Sequence, residues 1–290
     1  MLTAPDPVLG FTYIPGRFTV TFDNGDSWVT THRPDTLRIT RLVDEDGAFR
    51  NRPGLWVLGC SFVHGWGLND DETLPWKVQE RLPEYDVANL GVGGYGTLQS
   101  LLQFRKALER GPAPAVAVLA YAGFHDERNT LARRWQKAGY EYAHLGTTRT
   151  PYARIVGGAL RPSFDWPDYP GFGWIEVSAL AELADEAYGP VDVRLLRSHR
   201  VSELLVSQLA REAGDHGVRF AIAGISREPG TEAMLRYAFE RGIPSVDVSV
   251  DLGRWGNRIR WDGHPNGAAN DKSAQRLAQF LGGLSGKVQP

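Results

Sequence analysis

The 290-residue sequence predicts an α/β fold: a mostly parallel sheet with helices on both of its faces. Two observations carry this reading. From residue 54 onward, short apolar runs that read as buried strands alternate with amphipathic helical stretches. The composition, 42% apolar and 23% charged, is that of a globular chain large enough to bury a core.

Residues 1–50 read as a small β appendage. RFTVTF and TLRITRLV alternate like hairpin strands, and Pro-Gly, Asn-Gly and Asp-Gly pairs punctuate the stretch. Residues 51–290 read as the α/β domain. LWVLG (55–59) is a short apolar strand ending in glycine, and TLPWKVQERL (73–82) has helical spacing. DVANLG (86–91) is a second strand, and TLQSLLQFRKALER (97–110) is a helix with Leu101, Phe104 and Leu108 on one side. AVAVLAYAG (115–123) is continuously apolar, as a strand covered on both faces must be. Residues 131–190 lack regular pattern and concentrate aromatic, Pro and Gly residues, which reads as a cap or lid. VSELLVSQLAREAGDHG (201–217) is a helix, VRFAIAGI (218–225) a strand, EAMLRYAFERG (232–242) a helix and PSVDVSV (244–250) the fifth strand. GAANDKSAQRLAQFLGGL closes the chain as a helix.

Several function classes are disfavoured at once. A formal net charge of -2 does not suit a generally basic nucleic-acid binder, so no nucleic-acid partner is expected. The single cysteine, Cys60, excludes an internal disulfide and a cysteine-rich zinc site. No apolar run reaches the roughly 18 residues a membrane helix needs, and no signal peptide is visible. The simplest expectation is a cytoplasmic protein with no membrane partner. A homo-oligomer is left open.

In parallel sheets the chemistry gathers at the carboxyl ends of strands. Four such ends stand out. The first is Gly59-Cys60-Ser61-Phe62-Val63-His64-Gly65, where Ser61 is either a nucleophile needing a base or the N-cap of the next helix. The second is Asn89-Leu90-Gly91-Val92-Gly93-Gly94-Tyr95-Gly96. Read literally, Gly91, Gly93 and Gly96 match G-x-G-x-x-G, a dinucleotide signature, but a weak one, since it follows the second strand and no ribose-binding carboxylate comes before Asp126; backbone N–H groups facing an oxyanion, or a plain tight turn, are the alternatives. The third is Gly123-Phe124-His125-Asp126-Glu127-Arg128-Asn129, a polar cluster that either meets substrate or is a solvated helix start. The fourth is Trp261-Asp262-Gly263-His264-Pro265-Asn266, in which an Asp stands ready to orient a His. No histidine has metal-ligand spacing such as H-E-x-x-H, so neither metal nor other cofactor is expected.

Taken together, the order Ser, glycine loop, polar strand end and Asp-x-His resembles the SGNH hydrolase superfamily, also called the GDSL esterases and lipases. The resemblance covers residues 54 to about 283. It implies a three-layer α/β/α sandwich with a flavodoxin-like sheet. It also implies a serine esterase that cleaves a carboxylic ester of short acyl chain through an acyl-enzyme. Ser61 would be the nucleophile, His264 the base and Asp262 its orienting partner. The oxyanion hole would comprise Ser61, Gly94 and His125, the last standing where the family has Asn, with Asn129 as a substitute donor. Cys60 stands where the family has Asp, and only Gly263 separates Asp262 from His264 where the family commonly has two residues.

Rivals to these roles are Cys60 as nucleophile and His64 as base. His64 and Asp126 are otherwise expected to line the substrate site. Trp135, Tyr140, Tyr142, Trp166, Tyr169 and Trp174, with Arg133, Arg134, Arg149 and Arg154 nearby, suit either sugar rings or packing of the cap. An O-acetyl ester of a carbohydrate or other polar metabolite is thus the leading substrate expectation. Trp135, Trp166 and Trp174 are the candidate binding residues. An acyltransferase with the same triad, and a non-catalytic carbohydrate- or ligand-binding module, are the alternatives.

Overall fold

The computed structural model describes residues 2–139, 150–165 and 178–285. Two antiparallel hairpins open the chain, β1 (Thr3–Asp6) with β2 (Gly10–Tyr13) and β3 (Gly16–Thr21) with β4 (Ser27–His32). A short helix α1 (Asp46–Phe49) then leads to β5 (Gly54–Gly59), α2 (Ser61–His64), α3 (Leu74–Arg81), β6 (Asp86–Gly91), α4 (Thr97–Leu108) and β7 (Val116–Tyr121). Next come α5 (His125–Asn129), α6 (Arg133–Gly139), the hairpin β8 (Tyr152–Val156) and β9 (Ala159–Ser163), and α7 (Ala179–Leu195). The chain closes with α8 (Ser198–Asp215), β10 (Arg219–Gly224), α9 (Pro229–Glu240), β11 (Ser245–Asp247) and α10 (Gly267–Ser285).

The five parallel strands lie in the order β11-β10-β7-β5-β6. Counted along the chain this is 2-1-3-4-5 from the β6 edge, the flavodoxin-like winding, whose switch point falls between β5 and β7. Strand periodicity divides the core in two. Leu58, Ala117, Leu119 and Tyr121 face one way, into a cluster with Leu98, Leu101 and Phe104 of α4, Leu205 of α8 and Met234 of α9. Leu55, Val57, Val116, Val118 and Ala120 face the other way, onto Val78 of α3 and Leu277 of α10. The fold is therefore three-layered, α/β/α, with apolar burial on both sheet faces holding the layers together. No described helix is long and apolar enough to cross a membrane.

Two expectations need correction. TLRITRLV is not a strand: only Arg38 makes isolated bridges, to His32 and to Asn89 of the edge strand. Arg38, Ile39, Thr40 and Arg41 are all buried in succession, which breaks the two-residue alternation. The Arg38 guanidinium spends its donors on Asp70 (2.9 Å) and on the carbonyls of Val29, His64, Gly65 and Leu68. The N-terminal segment packs onto the sheet: Leu9, Phe11 and Tyr13 belong to the same core cluster as Leu58 and Leu90. The stretch 131–190 is also more regular than expected, since α6, the β8–β9 hairpin and α7 lie in its described part. Gly189-Pro190 inside α7 masked that helix from a reading by sequence pattern.

Candidate active site

The apolar run of β5 ends at Gly59, Cys60 continues in extended conformation, and Ser61 opens the single-turn helix α2. Gly91 lets α2 lie against the end of β6. A Cβ there would stand 2.3 Å from the His64 nitrogen and 2.7 Å from the Val63 Cβ, so no other residue fits without moving backbone. The glycine loop after β6 then runs beside Ser61, and a Cβ on Gly93 would lie 4.0 Å from the Ser61 Cβ. The backbone N–H groups of Ser61 and Gly94 have no acceptor among the described residues. Gly93 N–H donates to the Tyr13 hydroxyl (3.3 Å), tying the loop to the N-terminal segment.

From 203 residues away, the loop before α10 brings His264 Nε2 to 2.9 Å from Ser61 Oγ. His264 Nδ1 is hydrogen-bonded to Asp262 Oδ1, which also accepts the His264 backbone N–H at 3.2 Å. The other carboxylate oxygen, Oδ2, accepts the Trp66 indole N–H at 2.8 Å. Burial raises the Asp262 carboxyl, but the hydrogen bonds from His264 and Trp66 outweigh it and hold the group below its ordinary value. The one-residue gap between Asp and His closes because Gly263 adopts φ +84°, letting a single carboxylate grip both the ring and the backbone of His264.

Aromatic rings fix this loop from outside. Trp66 packs edge-on to Trp28 (5.3 Å between centroids), Phe22 lies 4.2 Å from Trp28, and Phe22 meets Trp261 edge-on at 3.7 Å. The Trp261 indole donates to Asp26 (2.7 Å). The β3–β4 hairpin thereby braces the residues that carry Asp262 and His264. On the other flank, half-buried Phe62 stacks edge-on against Phe124 (5.5 Å) and against His264 (5.3 Å). What the arrangement can do is deprotonate a serine hydroxyl with an oriented imidazole beside unoccupied backbone donors.

Several expected site residues stand elsewhere. Cys60 is fully buried in the core, out of reach of any substrate. His64 is no rival base: it is buried, its Nε2 lies 3.0 Å from that of His32, and its ring stacks on Tyr13 at 4.1 Å. Burial, with Arg38 and His32 nearby, pushes His64 well below its ordinary value, so it is neutral. Asn129 is committed structurally. Its amide donates to Ser202 (2.8 Å) and accepts the Leu98 N–H at the start of α4 (2.9 Å). Asp126 accepts from Tyr121, Ser202 and the His199 ring rather than facing substrate.

His125 is completely buried, and neither ring nitrogen has a hydrogen-bond partner among the described residues. Burial holds it neutral, and in this conformation no water-sized group reaches either nitrogen, so it does not contribute to an oxyanion hole. Trp135 stacks on the Arg128 guanidinium (4.5 Å), which is also over Phe124 (4.4 Å). Arg133 pairs with Asp185. Trp166 and Trp174, like Tyr140, Tyr142, Arg149 and Tyr169, lie outside the described residues. Among the described residues no group of three or more His, Cys, Asp or Glu could hold a metal ion.

Sequence reasoning missed Trp66, Tyr13 and Arg38. A tryptophan after Gly65 gives no local sign that a carboxylate 196 residues away will meet it. Arg38 sat inside an alternating run that read as a hairpin strand.

No protein-family model matches the sequence, and no curated protein does. Solved structures resemble it at low identity. A psychrotrophic esterase from Pseudoalteromonas sp., inhibited by monoethylphosphonate, is 11% identical with a TM-score of 0.48, over 81% of this chain and 100% of its own. A GDSL-like lipase from Bacteroides thetaiotaomicron VPI-5482 is 12% identical with a TM-score of 0.45, over 83% and 95%. A member of the lipolytic G-D-S-L family from Veillonella parvula DSM 2008 is 9% identical with a TM-score of 0.45, over 78% and 96%.

Proposed function

We propose that this chain is a serine hydrolase of the SGNH type, which cleaves a carboxylic ester through an acyl-enzyme on Ser61. The observation that carries the reading is the relay Asp262–His264–Ser61. It is assembled at the carboxyl end of β5, beside the switch point of the sheet, from segments 203 residues apart. His264 Nε2 takes the Ser61 proton as Oγ attacks the ester carbonyl. Asp262 holds the ring in the tautomer that leaves Nε2 free to accept. The Ser61 and Gly94 N–H groups receive the developing oxyanion. His264 then returns the proton to the departing alcohol, and a water attacks the acyl-enzyme by the reverse proton path.

With His125 buried and Asn129 engaged, the hole has two donors rather than three. One missing oxyanion donor costs about 10²–10³ in rate in comparable sites, so we expect a slow enzyme on unactivated esters. Phe62, edge-on to both His264 and Phe124, stands beside the relay, and a short acyl group is the proposed fit there. Trp255 and Trp261, exposed on the segment that leads to Asp262, offer flat faces to a sugar or other polar alcohol. The test is hydrolysis of p-nitrophenyl acetate and butyrate by wild type and Ser61→Ala, followed by release of acetate from peracetylated xylose. The reading expects acetate to be preferred over butyrate and all turnover to vanish with Ser61. Unchanged hydrolysis in Ser61→Ala would sink it.

A further inference from the structure

Behind the Ser61 and Gly94 N–H groups stands a side chain that the relay does not use. Strand alternation turns Phe11 and Tyr13 of β2 inward together, and both are buried. Tyr13 reaches the two segments that carry the oxyanion donors. Its ring lies flat on His64 of α2, with 4.1 Å between centroids and 19° between planes, and α2 begins with Ser61. Its hydroxyl accepts the Gly93 N–H at 3.3 Å, one residue before Gly94.

The phenol ring is itself held in place. It also stacks on His32 of β4 at 4.5 Å and 8°. The His32 and His64 Nε2 atoms are 3.0 Å apart and their ring centroids 5.3 Å apart, so the two imidazoles lie end to end against one face. The base of the glycine loop is fixed by other bonds. Val92 N–H donates to the Gly59 carbonyl (3.1 Å), and the Asn89 amide joins the Val63 carbonyl (3.2 Å) to the Gly91 N–H (2.9 Å). The tip depends on β2. Gly94 sits at φ +84°, a conformation glycine adopts freely, and both of its neighbours are tied to that strand. Gly93 donates to the Tyr13 hydroxyl, and the Tyr95 hydroxyl donates to the Phe11 carbonyl. Two bonds from the inward face of one strand thus bracket the residue that offers the second oxyanion donor.

We infer that Tyr13 is a positioning residue of the oxyanion hole. Its ring braces α2, its hydroxyl braces the tip of the glycine loop, and together they set the spacing between the Ser61 and Gly94 N–H groups. The inference rests on the reading of Ser61 as the nucleophile of an ester hydrolase. With no donor from position 125, two N–H groups carry the oxyanion, and their spacing matters the more. Preorganised donors act on charge that develops in the transition state, so a loosened tip lowers kcat and leaves KM unchanged. The N-terminal segment thereby takes part in the reaction, as the frame of the hole.

The test is Tyr13→Phe, which keeps a ring against His32 and His64 and removes the hydroxyl. Hydrolysis of p-nitrophenyl acetate should show kcat lower by about 3–10-fold, the effect of one neutral hydrogen bond, with KM within about twofold. Circular dichroism at the assay temperature should show the variant as fully folded as wild type. Amide hydrogen exchange needs no substrate: the Gly93 N–H should exchange faster than in wild type by a similar factor, while the Val92 N–H keeps its protection. An unchanged kcat, a rise in KM alone, or a fall in kcat that merely follows loss of folded protein would overturn the assignment. So would a Gly93 N–H that exchanges as in wild type. If wild type neither hydrolyses the ester nor reacts with a fluorophosphonate, the ester reading falls instead, and the exchange measurement alone decides whether Tyr13 holds the loop.

Discussion

Trp66→Phe isolates one bond of the relay. Phenylalanine keeps a ring against Trp28 and Phe22 and removes the indole N–H that reaches Asp262 Oδ2 at 2.8 Å. A hydrogen bond to a charged group contributes about 1.5–3 kcal/mol net. The Asp262 side chain is 14% exposed, so water recovers part of that. The remaining oxygen keeps both His264 contacts, so the ring is loosened rather than released. An expected loss of about 1–2 kcal/mol in the transition state corresponds to about 5–30-fold in kcat, with KM little changed because Trp66 lies behind the carboxylate. Steady-state hydrolysis of p-nitrophenyl acetate by wild type, Trp66→Phe and Asp262→Asn measures this. Asp262→Asn sets the ceiling, about 10⁴-fold where a triad carboxylate is replaced by an amide. A kcat for Trp66→Phe within twofold of wild type, in a protein of unaltered melting temperature, would refute the claim that the indole holds Asp262.

Three further outcomes are expected. His32, His64 and His125 are buried neutral, and burial first, then nearby arginine charge, depresses all three, His32 to about 3. Below pH 6.5 the unfolded chain therefore binds protons that the folded chain refuses, so stability falls with pH between 6.5 and about 3. Going from pH 7.5 to 5.5 should cost at most about 4 kcal/mol across the three rings, offset in part by His199, which its hydrogen bond to Asp126 holds above its ordinary value, read from urea unfolding curves at each pH. Asn129→Ala orphans the Leu98 N–H and removes one donor to the Ser202 hydroxyl, which keeps its bond to Asp126, and should cost about 1–3 kcal/mol of stability, while kcat of the folded enzyme stays within about twofold. Gly263→Ala forces a side chain into φ +84°, at about 1–2 kcal/mol, and opens the Asp262 grip on His264. Kinetics should show kcat down by about tenfold at unchanged KM.

The fold was legible because burial on two faces writes continuous apolar strands, and β7, wholly buried from Val116 to Tyr121, could be read directly. The relay was legible because Ser61 closes a recognisable strand end and the Asp262–His264 pair stands just before the final helix. What surrounds it was not. His64, three residues from Ser61, looks like a rival base until the fold turns it onto Tyr13 and His32. Asn129 looks like a free donor until α4 and α8 claim both ends of its amide. Such assignments depend on which distant element arrives at a side chain, and local pattern is silent on that. The N-terminal segment shows this most clearly, since its weak strand signals hid Arg38 and the Phe22–Trp28 brace.

The most direct test of the serine mechanism is covalent. The protein would be treated with a fluorophosphonate, and intact mass followed by peptide mapping would locate the adduct in wild type, Ser61→Ala and His264→Ala. A serine relay gives one adduct per chain on Ser61 in wild type, none in Ser61→Ala, and labelling slowed by orders of magnitude in His264→Ala. An adduct on another residue, or none in a wild type that still hydrolyses p-nitrophenyl acetate, would contradict it.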